Sequence, residues 1–144
     1  MTNSTLNYYQ NNAKQIIEHY ENVNMSKLHD KLKMAFSISS KLLEIGCGSG
    51  RDASALHKSG YEIFITDASD SMLSEAIKNH PEFKEKSLNL KLPDPIQFQD
   101  ESFGGIYAIA VLMHLNEAEI NQSFNEFNRV LRSKGRLFFS ICIE

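Results

Sequence analysis

The first half of the chain alternates between helical and strand-like spacing of its apolar residues. Residues 7–20 and 25–38 place apolar side chains three and four positions apart, which predicts two leading helices. Short apolar runs at 41–45 and 61–66 predict buried strands, and a helical pattern at 51–59 lies between them. Strands that alternate with helices in this way are typical of an α/β fold with a parallel sheet.

The pattern continues into the middle of the chain. Ser69 is well placed to cap a helix that ends before Pro81. Asn116, with Glu119 three residues later, is close to a capping box at the start of a further helix. Residues 88–92 alternate leucine with polar residues, which predicts a half-buried edge strand. Residues 93–104 have no helical period, so we expect a long connection that crosses to the far side of the first strand.

The most informative segment is 42–50, where an apolar strand runs into glycines at 46, 48 and 50. Glycine adopts positive φ easily and has no Cβ, so a nucleotide-like ligand can approach the main chain at the start of the next helix. Asp67 ends the following strand about 20 residues later, where a carboxylate can accept hydrogen bonds from ribose hydroxyls. The segment therefore predicts a cofactor site of nucleotide type.

The spacing alone leaves two cofactors open. Read from Gly48, the segment satisfies G-x-G-x-x-A, which permits a nicotinamide dinucleotide. Read from Glu44, it is E-x-G-x-G-x-G. A carboxylate at that position suits a ligand with an ammonium or sulfonium group better than it suits a doubly negative pyrophosphate.

Residues 41–73 resemble motif I and the following acidic strand end of the class I methyltransferases that use S-adenosylmethionine. Residues 100–115 resemble the family's fourth strand, with Gly104 where aspartate is usual. Residues 129–140 resemble its R-V-L-K-P-G-G turn into a fifth strand. The resemblance implies a doubly wound, mainly parallel Rossmann-like sheet in the order 3-2-1-4-5 behind two N-terminal helices.

The resemblance also implies S-adenosylmethionine as the cofactor. Methyl transfer from a sulfonium is an in-line displacement that depends mainly on alignment, so few catalytic side chains are expected. His114, just beyond the fourth strand, is the candidate general base, and no metal site is expected. The implied cofactor contacts are Tyr9, Asn12, Glu44, Gly46, Cys47, Gly48, Gly50, Arg51, Asp67, Ala68, Met72, Leu92, Ile96 and Ala110.

Composition narrows the partners. The 144 residues fit a single domain, divided into N-terminal helices at 1–38 and a cofactor-binding core at 39–144. A formal charge of -3 gives no basic stripe for nucleic acid. The longest apolar run, 106–113, is too short for a membrane span, and Cys47 and Cys142 lack metal-ligand spacing. We therefore expect a cytoplasmic protein with a small-molecule acceptor.

The predicted fifth strand, residues 137–143, almost ends the chain, whereas the family continues with another helix and a strand pair. An exposed apolar edge tends to pair with another chain, so we expect either a homodimer through this strand or marginal stability. The early end also permits a second interpretation, a module that binds the cofactor without catalysis. A nicotinamide-dependent oxidoreductase is the third.

Overall fold

The computed structural model describes residues 1–141 and shows a five-stranded parallel sheet in the order 3-2-1-4-5, as the sequence predicts. Single 3₁₀ turns lie at Pro81–Phe83 and Leu112–His114. The helices and strands are α1 (Asn3–Glu21), α2 (Ser26–Ala35), β1 (Lys41–Ile45), α3 (Arg51–Lys58), β2 (Glu62–Asp67), α4 (Asp70–Asn79), β3 (Ser87–Asn89), β4 (Phe103–Ile109), α5 (Glu117–Val130) and β5 (Leu131–Ser140).

The predicted helix caps are confirmed. Ser69 Oγ accepts a hydrogen bond from the Met72 N–H at the start of α4 (3.2 Å). At the start of α5, Asn116 Oδ1 accepts from the Glu119 N–H, and Glu119 Oε2 accepts from the Asn116 N–H, both at 2.9 Å. These reciprocal bonds satisfy donors that the first helical turn leaves free, so α5 begins at a fixed residue.

Several element bounds differ from the prediction, and three of the differences have a clear cause. The first helix begins at Asn3 rather than residue 7, because the Thr2 side chain caps it. β3 ends at Asn89, since the chain beyond it turns inward and buries Leu90 and Leu92 in the core. β5 begins at Leu131 rather than residue 137. Its pairing with β4 shifts register between Leu131 and Arg136, so the expected turn lies within the strand as an irregularity.

Strand β5 lies at the edge of the described sheet, and the Phe139 side chain is 47% exposed there. The last predicted strand positions, Cys142 and Ile143, lie outside the described residues. Pairing of this edge with a second molecule stays a prediction.

Two hydrophobic layers hold the sheet between helices. Successive side chains of a strand point to opposite faces, so β1 contributes Leu42 to one layer and Leu43 to the other. The first layer packs the sheet against α2, α3 and α4, and the second packs it against α5 and the connection 90–102. The largest fully buried side chains include Leu32, Leu56, Ile63, Phe83, Phe103, Tyr107 and Phe127.

The long connection before β4 contains no helix, as predicted, and a single arginine fastens it to α5. Arg129 donates to the carbonyl oxygens of Ile96 (2.6 Å) and Phe98 (2.8 Å) and to Asp100 (2.9 Å). Glu126 accepts from both Arg129 (2.9 Å) and the Ile96 N–H (2.7 Å). This network anchors the chain that continues from residues 90–92, next to the site described below.

Candidate functional site

A cavity of about 660 Å³ opens where the chain leaves β1, β2 and β4. These are the carboxyl ends of the strands, and the strand order reverses beside β1, which is where open α/β sheets bind ligands. Helix α1 contributes residues to the opposite wall. The volume lies within the usual range for small-molecule sites.

The loop after β1 needs its glycines. Gly46, Gly48 and Gly50 have φ values of +70°, +55° and +81°. Added to Gly46, a Cβ would lie 2.5 Å from Val111 Cγ2, so the loop and the segment after β4 touch directly. The Cys47 N–H donates to the Thr66 carbonyl oxygen (2.7 Å), which ties the loop to β2. The loop backbone therefore forms one wall of the cavity.

Asp67 ends β2 on the same wall, with both carboxylate oxygens held by the main chain. Oδ2 accepts from the Gly48 N–H and Oδ1 accepts from the Ser69 N–H, each at 3.0 Å. Burial raises the pKa of Asp67, and these backbone hydrogen bonds oppose the rise. The carboxylate is thus fixed in orientation beside the glycine loop and faces the cavity.

Arg51 joins the start of α3 to the end of α1. Its Nη1 donates to the Tyr20 carbonyl oxygen (2.9 Å), and its Nε donates to Asp52 Oδ1 (3.3 Å). The guanidinium carbon lies 5.4 Å from the Tyr20 ring centroid. A ring nitrogen of His29 also lies 2.7 Å from Asp52 Oδ1. Arg51 lines the cavity, with part of its charge offset by Asp52.

Helix α1 packs against α4, and polar contacts also join the two helices. Gln10 Oε1 accepts hydrogen bonds from Ser69 Oγ (2.6 Å) and from the Ser71 N–H (2.9 Å). Tyr9, one residue earlier, lines the cavity, and burial, followed by the effect of Tyr20, raises its pKa to about 12. Tyr9 is therefore a neutral hydroxyl at physiological pH.

The structure brings most of the predicted site residues to the cavity and leaves four outside its wall. Asn12 donates to the Tyr8 carbonyl oxygen (2.9 Å), Gly50 is the N-cap of α3, and Ile96 is buried in the layer that packs against α5. The fourth is Glu44. A cofactor role for these four stays a prediction. Those on the wall are Tyr9, Gly46, Cys47, Gly48, Arg51, Asp67, Ala68, Met72, Leu92, Ala110 and His114.

Glu44 lies behind the glycine loop, fully buried next to Tyr107. Burial, followed by the charge of Asp52, raises the pKa of Glu44 well above its usual value. Within residues 1–141, neither Glu44 Oε2 nor the Tyr107 hydroxyl makes a hydrogen bond of good geometry, and the neighbouring Tyr107 hydroxyl offsets only part of the rise in the pKa of Glu44. A buried carboxylate without full pairing costs stability in its charged form.

We expect Glu44→Gln to be more stable than the parent chain above pH 7. Because the folded state raises the pKa of Glu44, it binds the proton more tightly than the unfolded chain. Stability must then fall as pH rises from the unfolded value of about 4.3 toward the raised folded value. Urea unfolding at pH 5 and pH 8 should show a smaller fall for the variant.

The exposed Glu85 provides a matched control, and Glu85→Gln should leave the pH dependence unchanged. If Glu44→Gln is no more stable than the parent at pH 8, the buried carboxylate does not carry the cost assigned to it.

Several residues on the cavity wall have no signal in the sequence pattern. Leu6 and Met25 lie in the N-terminal helical region. There, apolar spacing indicates that a residue is buried and does not show that it lines a cavity. Met113 and Leu115 follow Ala110, whose φ of +56° turns the chain out of β4 and across the cavity. The sequence does not indicate this turn, because alanine rarely adopts a positive φ and apolar periodicity carries no information on φ.

Among residues 1–141, no group of histidine, cysteine, aspartate and glutamate side chains is arranged to hold a metal ion. In the same part of the chain, none of the helices combines the length and apolarity that crossing a membrane requires.

The family model for a methyltransferase domain matches residues 43–139, from β1 to β5. The chain therefore belongs to the methyltransferase domain family. The matched span includes the glycine loop, Asp67 and the segment after β4. No match to the chain is found among curated proteins.

Solved structures with the same fold include the PH0226 protein of Pyrococcus horikoshii, with 24% identity, a TM-score of 0.69, and coverage of 83% of this chain and 60% of that one. A putative S-adenosyl-L-methionine-dependent methyltransferase of Methanococcus maripaludis has 21% identity and a TM-score of 0.76 over 90% and 62% of the two chains. A chain in the complex between the Trm112 methyltransferase activator and the putative methyltransferase of Haloferax volcanii has 18% identity and a TM-score of 0.73 over 94% and 58%.

At these identities the likeness establishes the fold. The chain spans about 60% of the length of the PH0226 protein.

Proposed function

We propose that this protein transfers a methyl group from S-adenosylmethionine to a small-molecule acceptor held in the cavity. Membership of the methyltransferase domain family supports methyl transfer as the reaction. One observation carries the cofactor assignment: the Asp67 carboxylate and the positive-φ glycine loop border the same cavity and are joined by a hydrogen bond of 3.0 Å.

The residues on the wall suit the parts of this cofactor. Asp67 is an acceptor for the two ribose hydroxyls, since each of its oxygens has lone pairs beyond those used by Gly48 and Ser69. Gly46 and Gly48 have no side chain, so the amino-acid part of the cofactor can lie close to their main chain. Leu90 and Leu92, both 6% exposed, offer an apolar surface for the adenine ring.

S-adenosylmethionine supplies an activated methyl group on a sulfonium when it is bound. The protein aligns the acceptor for in-line attack and excludes water, and such alignment can contribute ~7 to 11 kcal/mol to lowering the barrier. His114 lies on the cavity wall at the end of the 3₁₀ turn that follows β4. In this proposal its imidazole accepts the proton that an oxygen or nitrogen acceptor loses.

Calorimetric titration tests the cofactor assignment. We expect S-adenosylmethionine and S-adenosylhomocysteine to bind with one site per chain, and the reduced nicotinamide dinucleotide to give no measurable heat. Tighter binding of the dinucleotide would overturn the proposal. Methyl release with candidate acceptors then distinguishes an active enzyme from a module that only binds the cofactor.

A further inference from the structure

The cavity has two halves with different chemistry. The half along β1 and β2 contains the charged side chains Asp67, Arg51 and Asp52, and Lys91 lies beyond them after β3. The other half lies at the ends of β4 and β5. Aliphatic and thioether side chains dominate it: Ile109, Val111, Met113 and Leu115.

The polar groups in this second half are few. Ser140, at the end of β5, offers a neutral hydroxyl donor, since its Oγ and its carbonyl oxygen both accept from the Ala110 N–H, at 3.1 and 3.2 Å, and accepting does not use the O–H. His114 is the titratable side chain on this wall. Over the described range 1–141, this half has no aspartate, glutamate, lysine or arginine on its wall.

Met1 also lines the cavity, and its terminal ammonium is already paired, 3.8 Å from the carboxylate of Glu119. Glu119 Oε2 also accepts from the Asn116 N–H at 2.9 Å, within the capping box of α5. Glu119 is not on the cavity wall. A charged acceptor in this half would therefore lose its hydration and meet no charge that is not already paired, which is costly.

We infer that the methyl acceptor is an uncharged, largely apolar molecule with one O–H or N–H group directed at His114; this inference rests on the proposed function. The acceptor atom gains the methyl carbon as the carbon–sulfur bond breaks and its electron pair stays on sulfur. The acceptor's proton passes to the His114 imidazole. Met113 is flexible and polarizable, so this wall can adapt to a ring or a short chain.

Three probes with one ring system and different charges test this inference: 2-naphthol, 2-naphthoate and 2-naphthylmethylammonium. Each is titrated into the protein saturated with S-adenosylhomocysteine at pH 7.5. We expect the neutral 2-naphthol to bind at least tenfold more tightly than either ion. Equal or tighter binding of an ion, or no binding of 2-naphthol while S-adenosylhomocysteine binds normally, would overturn the inference.

Two charge variants strengthen the test. Met113→Glu should weaken 2-naphthol at least fivefold and improve the ammonium probe, whereas Met113→Lys should improve 2-naphthoate instead. Met113 is 37% exposed, so either charge can be tolerated by the fold. Met34→Glu, at an 84% exposed position of α2 outside the cavity, should change none of the three affinities.

These outcomes are distinguishable from failure of the proposed function. If S-adenosylhomocysteine itself does not bind, the proposed function fails and this inference fails with it. If it binds and the charge preference is absent or reversed, the acceptor class alone is wrong.

Discussion

Gly48→Val is expected to abolish binding of S-adenosylhomocysteine while the chain still folds. Gly48 has a φ of +55°, a conformation that a β-branched residue adopts only at a cost of about 1 to 3 kcal/mol. An added Cβ would lie 3.4 Å from Tyr20 Cδ2, and the two methyl groups of valine would extend further into the space beside the loop. Calorimetry should detect no binding, and thermal unfolding should show a lowered but cooperative transition.

Gly60→Val separates backbone strain from contact with the ligand. Gly60 also has a positive φ, +102°, but it follows α3 at the far end from the loop and is not on the cavity wall. This variant should lose stability and keep its affinity for S-adenosylhomocysteine. Loss of binding in both variants would mean that general destabilisation, rather than the loop, explains the result. Normal binding by Gly48→Val would show that the loop does not contact the ligand.

Asp67→Ala is expected to weaken S-adenosylhomocysteine at least tenfold. Hydrogen bonds to a charged group contribute about 1.5 to 3 kcal/mol each, and a tenfold change in affinity corresponds to about 1.4 kcal/mol. The variant also frees the N–H groups of Gly48 and Ser69, which the carboxylate now holds. The dissociation constant from calorimetry is the measurement.

Asp70→Ala is the matched control for this change. Asp70 lies three residues further along, is exposed, and accepts from Asn89 Nδ2 (2.7 Å) rather than facing the cavity. Its removal should change the affinity less than twofold. An unchanged affinity in Asp67→Ala would refute the assignment of this carboxylate to the ribose.

The sequence predicts those parts of the fold that local physics determines. β1 has its predicted bounds because five residues rich in apolar side chains run directly into glycines. The start of α5 follows from Asn116 and Glu119, whose side chains satisfy each other's backbone N–H groups. β3 was predicted too long, because alternating leucines show which residues are buried and not whether a neighbouring strand is there to pair with them.

The same distinction applies to the site. The glycine loop and Asp67 were predicted because their roles depend on backbone conformation and on position at a strand end. Glu44 has the expected spacing, yet its side chain lies on the face of β1 that packs toward Tyr107, which spacing alone does not reveal. Met25 and Met113 reach the cavity through tertiary packing of distant segments. Single-sequence patterns do not encode such contacts.

The most direct test of the cofactor site is the amide proton–nitrogen correlation spectrum of the protein during titration with S-adenosylhomocysteine. The account predicts the largest shifts at Gly46, Gly48 and Ala68, with Gly60 and Gly104 unmoved at saturation. These two control glycines lie outside the cavity, after α3 and near the start of β4. Shifts centred elsewhere, or a spectrum that does not change, would contradict the proposed binding of the cofactor between the glycine loop and Asp67.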